Sequence, residues 1–368
     1  NAVHDNGFAN QGEDNLDLGG HGMNHHYLVE GNDVYGGTGS FKLHSGSIKG
    51  NTHTPGVSGF HIARFNRITG IGFVSYGYPN PIVAYHNTFA NCGQCFMIYG
   101  EDSSQNQNLG DSTYAGGDAG RMNWKNNLFF QETYSSSHML LAAGPAGSSI
   151  DMTYKSFRLQ NNMYKFSSGQ KIGLTQLFGP PIDDNAFAQY KDANSPNLQD
   201  TGSTRITTAP AAMFAGYGSK DYHLVSGSPA IDSGTPLTKA TNSGTNSVTL
   251  KVDRASYFQD GYCLSDECLN NPDYIVIGNN TPVQIAPGGV ADNTNTITLS
   301  RPVSWNIGDS VTLAYSGSAP DIGAYEFSGS AAQSGSIYYI GQFTGSTPSD
   351  PTPTPSPNPG AYIPPAGS

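Results

Sequence analysis

Lys42 and His44 in FKLH, with His61 and Arg64 in HIAR, place bases and cations close together in the first part of the chain. Removing a proton beside a carboxylate needs a base, and a cation to hold the charge that builds up there. A second polar patch, DNLDLGGHGMNHHY, carries Asp14, Asp17, His21, His25 and His26, with Glu30 and Asp33 just after it. These residues suit acid–base work or metal binding, but their spacing matches no tight metal motif. A polar loop with surface histidines fits them equally.

Glu101 and Asp102 open the segment GEDSSQNQNLGDSTYAGGDAG, which also holds Asp111 and Asp118. Clustered carboxylates bind Ca2+ or act as a glycosidase pair. No regular calcium-loop spacing is present, so calcium is an open option and no metal ligand is assigned. The four cysteines form two close pairs, Cys92/Cys95 and Cys263/Cys268. Cys263 and Cys268 flank LSDE and read as a local disulfide in an oxidising compartment. Cys92-Gly-Gln-Cys95 lacks the helix of a redox site, and a bridge and two buried thiols both fit it.

These groups need a frame, and composition limits what it can be. The chain has 368 residues, of which only 12% are charged, with 46 Gly and 21 Tyr. Disordered chains are charge-rich and aromatic-poor, so this one folds. Gly, Pro or Asn interrupts nearly every window before two helical turns complete, which predicts an all-β chain of short strands. The net charge of -11, without a basic cluster, argues against a nucleic-acid partner. No apolar run approaches the length of about 18 residues that spans a bilayer.

Five segments then align on one asparagine each: YLVEGNDVY, HIARFNRIT, IVAYHNTFA, MNWKNNLFF and FRLQNNMYK, on Asn32, Asn66, Asn87, Asn127 and Asn162. Two residues later stand Val34, Ile68, Phe89, Phe129 and Tyr164; three earlier stand Val29, Ala63, Ala84, Trp124 and Leu159. A second element follows each asparagine and ends on Gly46, Gly77, Gly100, Gly144 or Gly179. Two strands and a turn recurring at this interval predict coils stacked in parallel, with like side chains above one another and asparagines hydrogen-bonded in a ladder. In that register Arg64 shares a column with Glu30, Tyr85, Lys125 and Gln160, which reads as the solvated face. Tyr76 and Tyr99 occupy one position on successive coils, with Tyr78 and Tyr85 nearby. An exposed tyrosine column would stack sugar rings; a buried one is core.

These repeats, with VHDNG, DYHLVSGSPAIDSG and PDIGAYEF, resemble the right-handed parallel β-helix proteins of the pectate-lyase-like superfamily over roughly residues 1–235 and 319–327. The resemblance implies a secreted, extracellular protein that binds a carbohydrate polymer and cleaves it by elimination. Lys42 and Arg64 resemble the base and cation of such lyases, with His44 and His61 beside them. Tyr76, Tyr99, Tyr85 and Glu101 then contact the polymer. The superfamily also contains non-catalytic members, so a filament or surface-layer subunit is the competing expectation.

The expected organisation is a β-helix over 1–242, an inserted antiparallel β-module over 243–315, closing β-helix strands over 316–345 and a Pro-rich tail over 346–368. Asn1 fits the ladder, so the first coil reads as incomplete. A piece of a longer protein and a subunit that stacks head to tail on copies of itself both account for that start.

Overall fold

The computed structural model describes residues 2–4, 16–19, 27–35, 41–44, 61–70, 73–76, 82–92, 95–99, 122–132, 140–143, 157–167, 171–172, 182–183, 198–264 and 267–328. Among them the protein is all-β, with only short 3-10 turns besides strands. Asn1, the glycines that end each second element, the 101–121 loop, residues 329–345 and the Pro-rich tail lie outside the described residues.

Three parallel sheets are visited in turn. The first holds the strands that precede each ladder asparagine: Tyr27–Glu30, His61–Arg64, Ile82–Tyr85, Met122–Lys125, Phe157–Gln160 and Leu198–Thr201. The second holds the strands that follow it, from Ala2–His4 through Thr204–Arg205. The third holds Leu16–Gly19, Phe41–His44, Phe73–Tyr76, Phe96–Tyr99 and Leu140–Ala143. Each strand pairs with its counterpart one repeat away in unshifted register, Ala63 with Ala84 and Phe89 with Phe129.

The corner between the first two sheets explains the asparagine repeat. Its first residue takes positive φ: Gly31, Phe65, His86, Asn126, Asn161 and Gly202. That conformation costs a side chain other than Gly or Asn about 1–2 kcal/mol, so Phe65 and His86 are held in it by their surroundings. The Phe65 N–H donates to the His86 carbonyl, and the His86 N–H to that of Lys125. The second corner residue is the ladder asparagine. Asn66 Nδ2 donates to Asn87 Oδ1 at 2.9 Å, Asn87 to Asn127 at 2.9 Å and Asn127 to Asn162 at 3.0 Å. Each Oδ1 also accepts the preceding asparagine's backbone N–H, and the Nδ2 of Asn66, Asn87, Asn127 and Asn162 also donates to a carbonyl one repeat back. A short amide alone matches this donor and acceptor pattern, and Ser203 ends the ladder by accepting from Asn162 N–H.

Inside the stack the two apolar columns meet. Val29, Ala63, Ala84, Trp124 and Leu159 are buried, and so are Val34, Ile68, Phe89, Phe129 and Tyr164. Phe89 and Phe129 rings stack at 4.8 Å, and Phe129 and Tyr164 at 5.2 Å. Such pairs add about 0.5–1.5 kcal/mol each beyond buried area.

A six-stranded antiparallel sheet, built from Thr238–Lys239, Gly244–Lys251, Tyr274–Ile277, Val283–Ala291, Thr296–Trp305 and Ser310–Leu313, lies outside the stack. Its buried face joins Ile62, Phe65, Val83 and Tyr85 in one apolar cluster. It therefore packs on the outward side of the first sheet. The hairpin of Phe214–Gly216 and Asp221–Leu224, with Ile322, does the same for the second sheet around Ala90, Leu128 and Phe130.

Candidate functional site

The outward column of the first sheet is covered rather than solvated where the antiparallel sheet meets it. Arg64 is 3% exposed. Its Nη2 donates to Asp273 Oδ1 at 2.7 Å and to Glu30 Oε2 at 2.9 Å, and its Nη1 donates to Asp273 Oδ2 at 2.8 Å and to the Tyr85 hydroxyl oxygen at 2.9 Å. Burial works against the charge, but Asp273 and Glu30 outweigh it and hold the guanidinium protonated. Tyr85 is fully buried, and its hydroxyl donates to the Tyr257 carbonyl at 2.5 Å. Burial pushes that hydroxyl well above its ordinary range.

This corrects the reading of the column as a solvated face: Arg64 and Tyr85 are both covered. Arg64 has no donor face turned to solvent where a polymer carboxylate could dock, and Tyr85 offers no ring to a sugar. The expectation missed Asp273, which lies 209 residues further along the chain. Nothing in the local sequence pairs the two.

Lys42, His44 and His61 lie on described strands. Register sets Lys42 beside Val74, His44 beside Tyr76 and His61 beside Ile82. Tyr76 pairs with Tyr99 in the third sheet. The side chains of these five residues, and Glu101 with its carboxylate loop, lie outside the described residues. Among the described residues no group of three or more His, Cys, Asp and Glu is placed to hold a metal ion. No described helix is long and apolar enough to cross a membrane.

Both cysteine pairs are disulfides. Cys92–Cys95 closes the corner between Thr88–Ala90 and Phe96–Tyr99, fully buried, with Gln131 Nε2 against its sulfurs. Cys263–Cys268 ties a two-stranded hairpin of the outer sheet region.

A half-exposed cluster sits elsewhere, on the outward side of the second sheet's first repeats. Asp221 and His223 alternate along one strand and so share a face. His223 Nδ1 lies 2.5 Å from Asp221 Oδ1, and its ring stacks on Tyr325 at 3.8 Å. The Arg67 guanidinium lies 5.0 Å from the Tyr325 ring centre, and Arg67 Nε donates to Asp33 Oδ1 at 2.6 Å. Lys220 Nζ lies 4.0 Å over the Tyr35 ring. His223, Asp221 and Asp33 are 35%, 36% and 42% exposed. Every charge here has an opposite charge or a ring beside it. The closing segments supply four of these seven groups, Lys220, Asp221, His223 and Tyr325, and the alternation in DYHL is the sequence signal that puts Asp221 and His223 on one face.

Those closing segments are fixed by a carboxylate clasp. Asp232 Oδ1 accepts from the Ser318 and Ala319 N–H groups, Asp321 from Asp232 and Phe327, and Glu326 from Asp321 and Ser316. Burial raises the carboxyl of Glu326 to about 8 and that of Asp321 to about 6. The backbone donors hold Asp232 below its ordinary value.

The chain matches no protein-family model, no curated protein and no solved structure.

Proposed function

We propose that this protein is a secreted, extracellular β-helix protein, built like the pectate-lyase-like superfamily, that binds a carbohydrate polymer without eliminating across it at Arg64. The three parallel sheets visited in turn and the asparagine ladder support the β-helix reading. The two disulfides support an oxidising compartment. The observation that carries the function is the partly exposed cluster of His223, Asp221, Asp33 and Tyr325, with the buried Arg67 orienting Asp33 and lying against the Tyr325 ring. Saccharides are bound by partly exposed aromatic side chains and by fixed donors and acceptors for hydroxyl groups. Here the polar groups are already oriented by one another, which lowers the ordering cost of binding.

Because each charge in the cluster is matched, the surface suits a neutral sugar rather than a uronate. The overall charge of -11 points the same way. Elimination needs an available cation, and Arg64 is engaged by two carboxylates.

The test is affinity electrophoresis through gels containing a neutral or an anionic polysaccharide. Retardation by the neutral polymer, reduced in a His223→Ala/Tyr325→Ala variant, is the expected result. Unretarded migration of the wild-type protein in every gel overturns the reading.

A further inference from the structure

We infer that the antiparallel sheet carries a second saccharide site, a concavity beside the Cys263–Cys268 hairpin, specific for an uncharged sugar. This rests on the carbohydrate-binding reading above but on a different part of the molecule. The concavity has a volume of about 520 Å³ and is walled by Leu269, Asn270, Asn271, Pro272, Gln284 and Pro287, with Cys268 at its edge. Small-molecule sites commonly enclose about 300–1,000 Å³.

Three properties of the wall identify the ligand class. First, no wall residue carries a formal charge, in a chain whose net charge is -11. An ionic ligand would find no counter-charge there. Second, three of the lining residues, Asn270, Asn271 and Gln284, are amides, and an amide offers both donor and acceptor to a hydroxyl-rich ligand. The Gln284 amide is oriented by donating to the Pro272 carbonyl at 3.2 Å. Third, Leu269 is 74% exposed, the highest exposure of any large apolar side chain among the described residues. It packs little into the fold, and with Pro287 it adds apolar residues to the lining. A pyranose presents that combination, hydroxyls at its edge and C–H groups on its face.

The site is also held in place. The disulfide pins the hairpin immediately before Leu269, and the Asn270 N–H donates to the Gly261 carbonyl at 3.0 Å. On the other side, Asp273 follows Pro272 and is the residue that grips Arg64 of the parallel stack. The concavity is therefore tied to the stack through one residue. Two sites on one chain bind a polymer that spans them more tightly than either alone, by effective concentration rather than new contact.

The experiment is isothermal titration calorimetry of the full chain with short neutral oligosaccharides from mannan, xylan and glucan, and with oligogalacturonate as the anionic control. Wild type is compared with Leu269→Asp, Asn271→Ala/Gln284→Ala and His223→Ala/Tyr325→Ala. The expected result is two sites for a neutral oligosaccharide in wild type, one in each wall variant and one in the cluster variant. At least a tenfold loss at the affected site is expected. Leu269→Asp is a safe probe because the side chain is mostly in solvent. Wild-type binding retained unchanged in both wall variants overturns the second site while leaving the first. Loss of all binding in the cluster variant also overturns it. Absence of any neutral binding in wild type overturns the carbohydrate reading itself.

Discussion

Asp273→Ala is the sharpest structural test of how the outer sheet is joined to the parallel stack. Asp273 is 4% exposed and accepts two hydrogen bonds from Arg64, at 2.7 and 2.8 Å. It also accepts from the Gln259 backbone at 3.0 Å and from Gln259 Nε2 at 3.0 Å. Alanine leaves a buried guanidinium with Glu30, itself 14% exposed, as its only carboxylate, beside the Tyr85 hydroxyl. Removing one partner of a buried pair costs about 3–5 kcal/mol, because the other charge stays desolvated. At about 2 °C per kcal/mol for a domain of this size, the melting midpoint falls by about 6–10 °C. Scanning calorimetry measures it. Arg64→Met combined with Asp273→Leu recovers most of the loss, since an apolar replacement of a buried pair is often neutral. A midpoint for Asp273→Ala within about 1 °C of wild type refutes the claim that this pair joins the two parts.

The carboxylate clasp makes stability depend on pH. Glu326 and Asp321 have raised folded-state values, so their contribution is complete below the ordinary carboxylate range of about 4 and is lost as pH rises through about 6 to 8. The midpoint falls over that interval, and Glu326→Gln flattens the fall; a midpoint that rises from pH 6 to 8 contradicts it. Asn127→Ala strips partners from Asn87 and Asn162 inside the ladder and costs roughly 3 kcal/mol or more, while Asn127→Ser costs less because a serine already closes the ladder at Ser203. Chemical denaturation of the two variants reads the losses, and a loss below about 1 kcal/mol for Asn127→Ala would tell against the amide's role. Thiol titration of the unfolded, unreduced chain detects no free cysteine, and reductant releases all four. A free thiol before reduction removes the disulfide assignment.

The ladder was legible because its physics is local. A positive-φ corner followed by an amide recurs with each repeat, and so do the apolar positions on either side. Variable loops did not hide it, because the asparagine stays fixed to its two strands. The outward column was misread for the opposite reason. Glu30, Arg64, Tyr85 and Lys125 look like surface residues until a distant sheet covers them. Lys125 shows the effect directly: burial lowers its ammonium to about 8, and Nζ donates to the Leu237 carbonyl. A cover that arrives 110 to 210 residues later leaves no mark in the local pattern. The His223 cluster was partly legible, as strand alternation put Asp221 and His223 on one face. Its other members, Asp33, Arg67 and Tyr325, come from separate segments that only the fold joins.

The central claim is that the protein binds neutral polysaccharide and does not eliminate across a uronate at Arg64. The most direct measurement incubates the purified protein with neutral and uronate polymers, following both retention on the polymer and ultraviolet absorbance of unsaturated product. The account predicts retention on a neutral polymer and no absorbance change with either. Unsaturated product from a uronate polymer, abolished by Arg64→Lys in a protein that still folds, would contradict it.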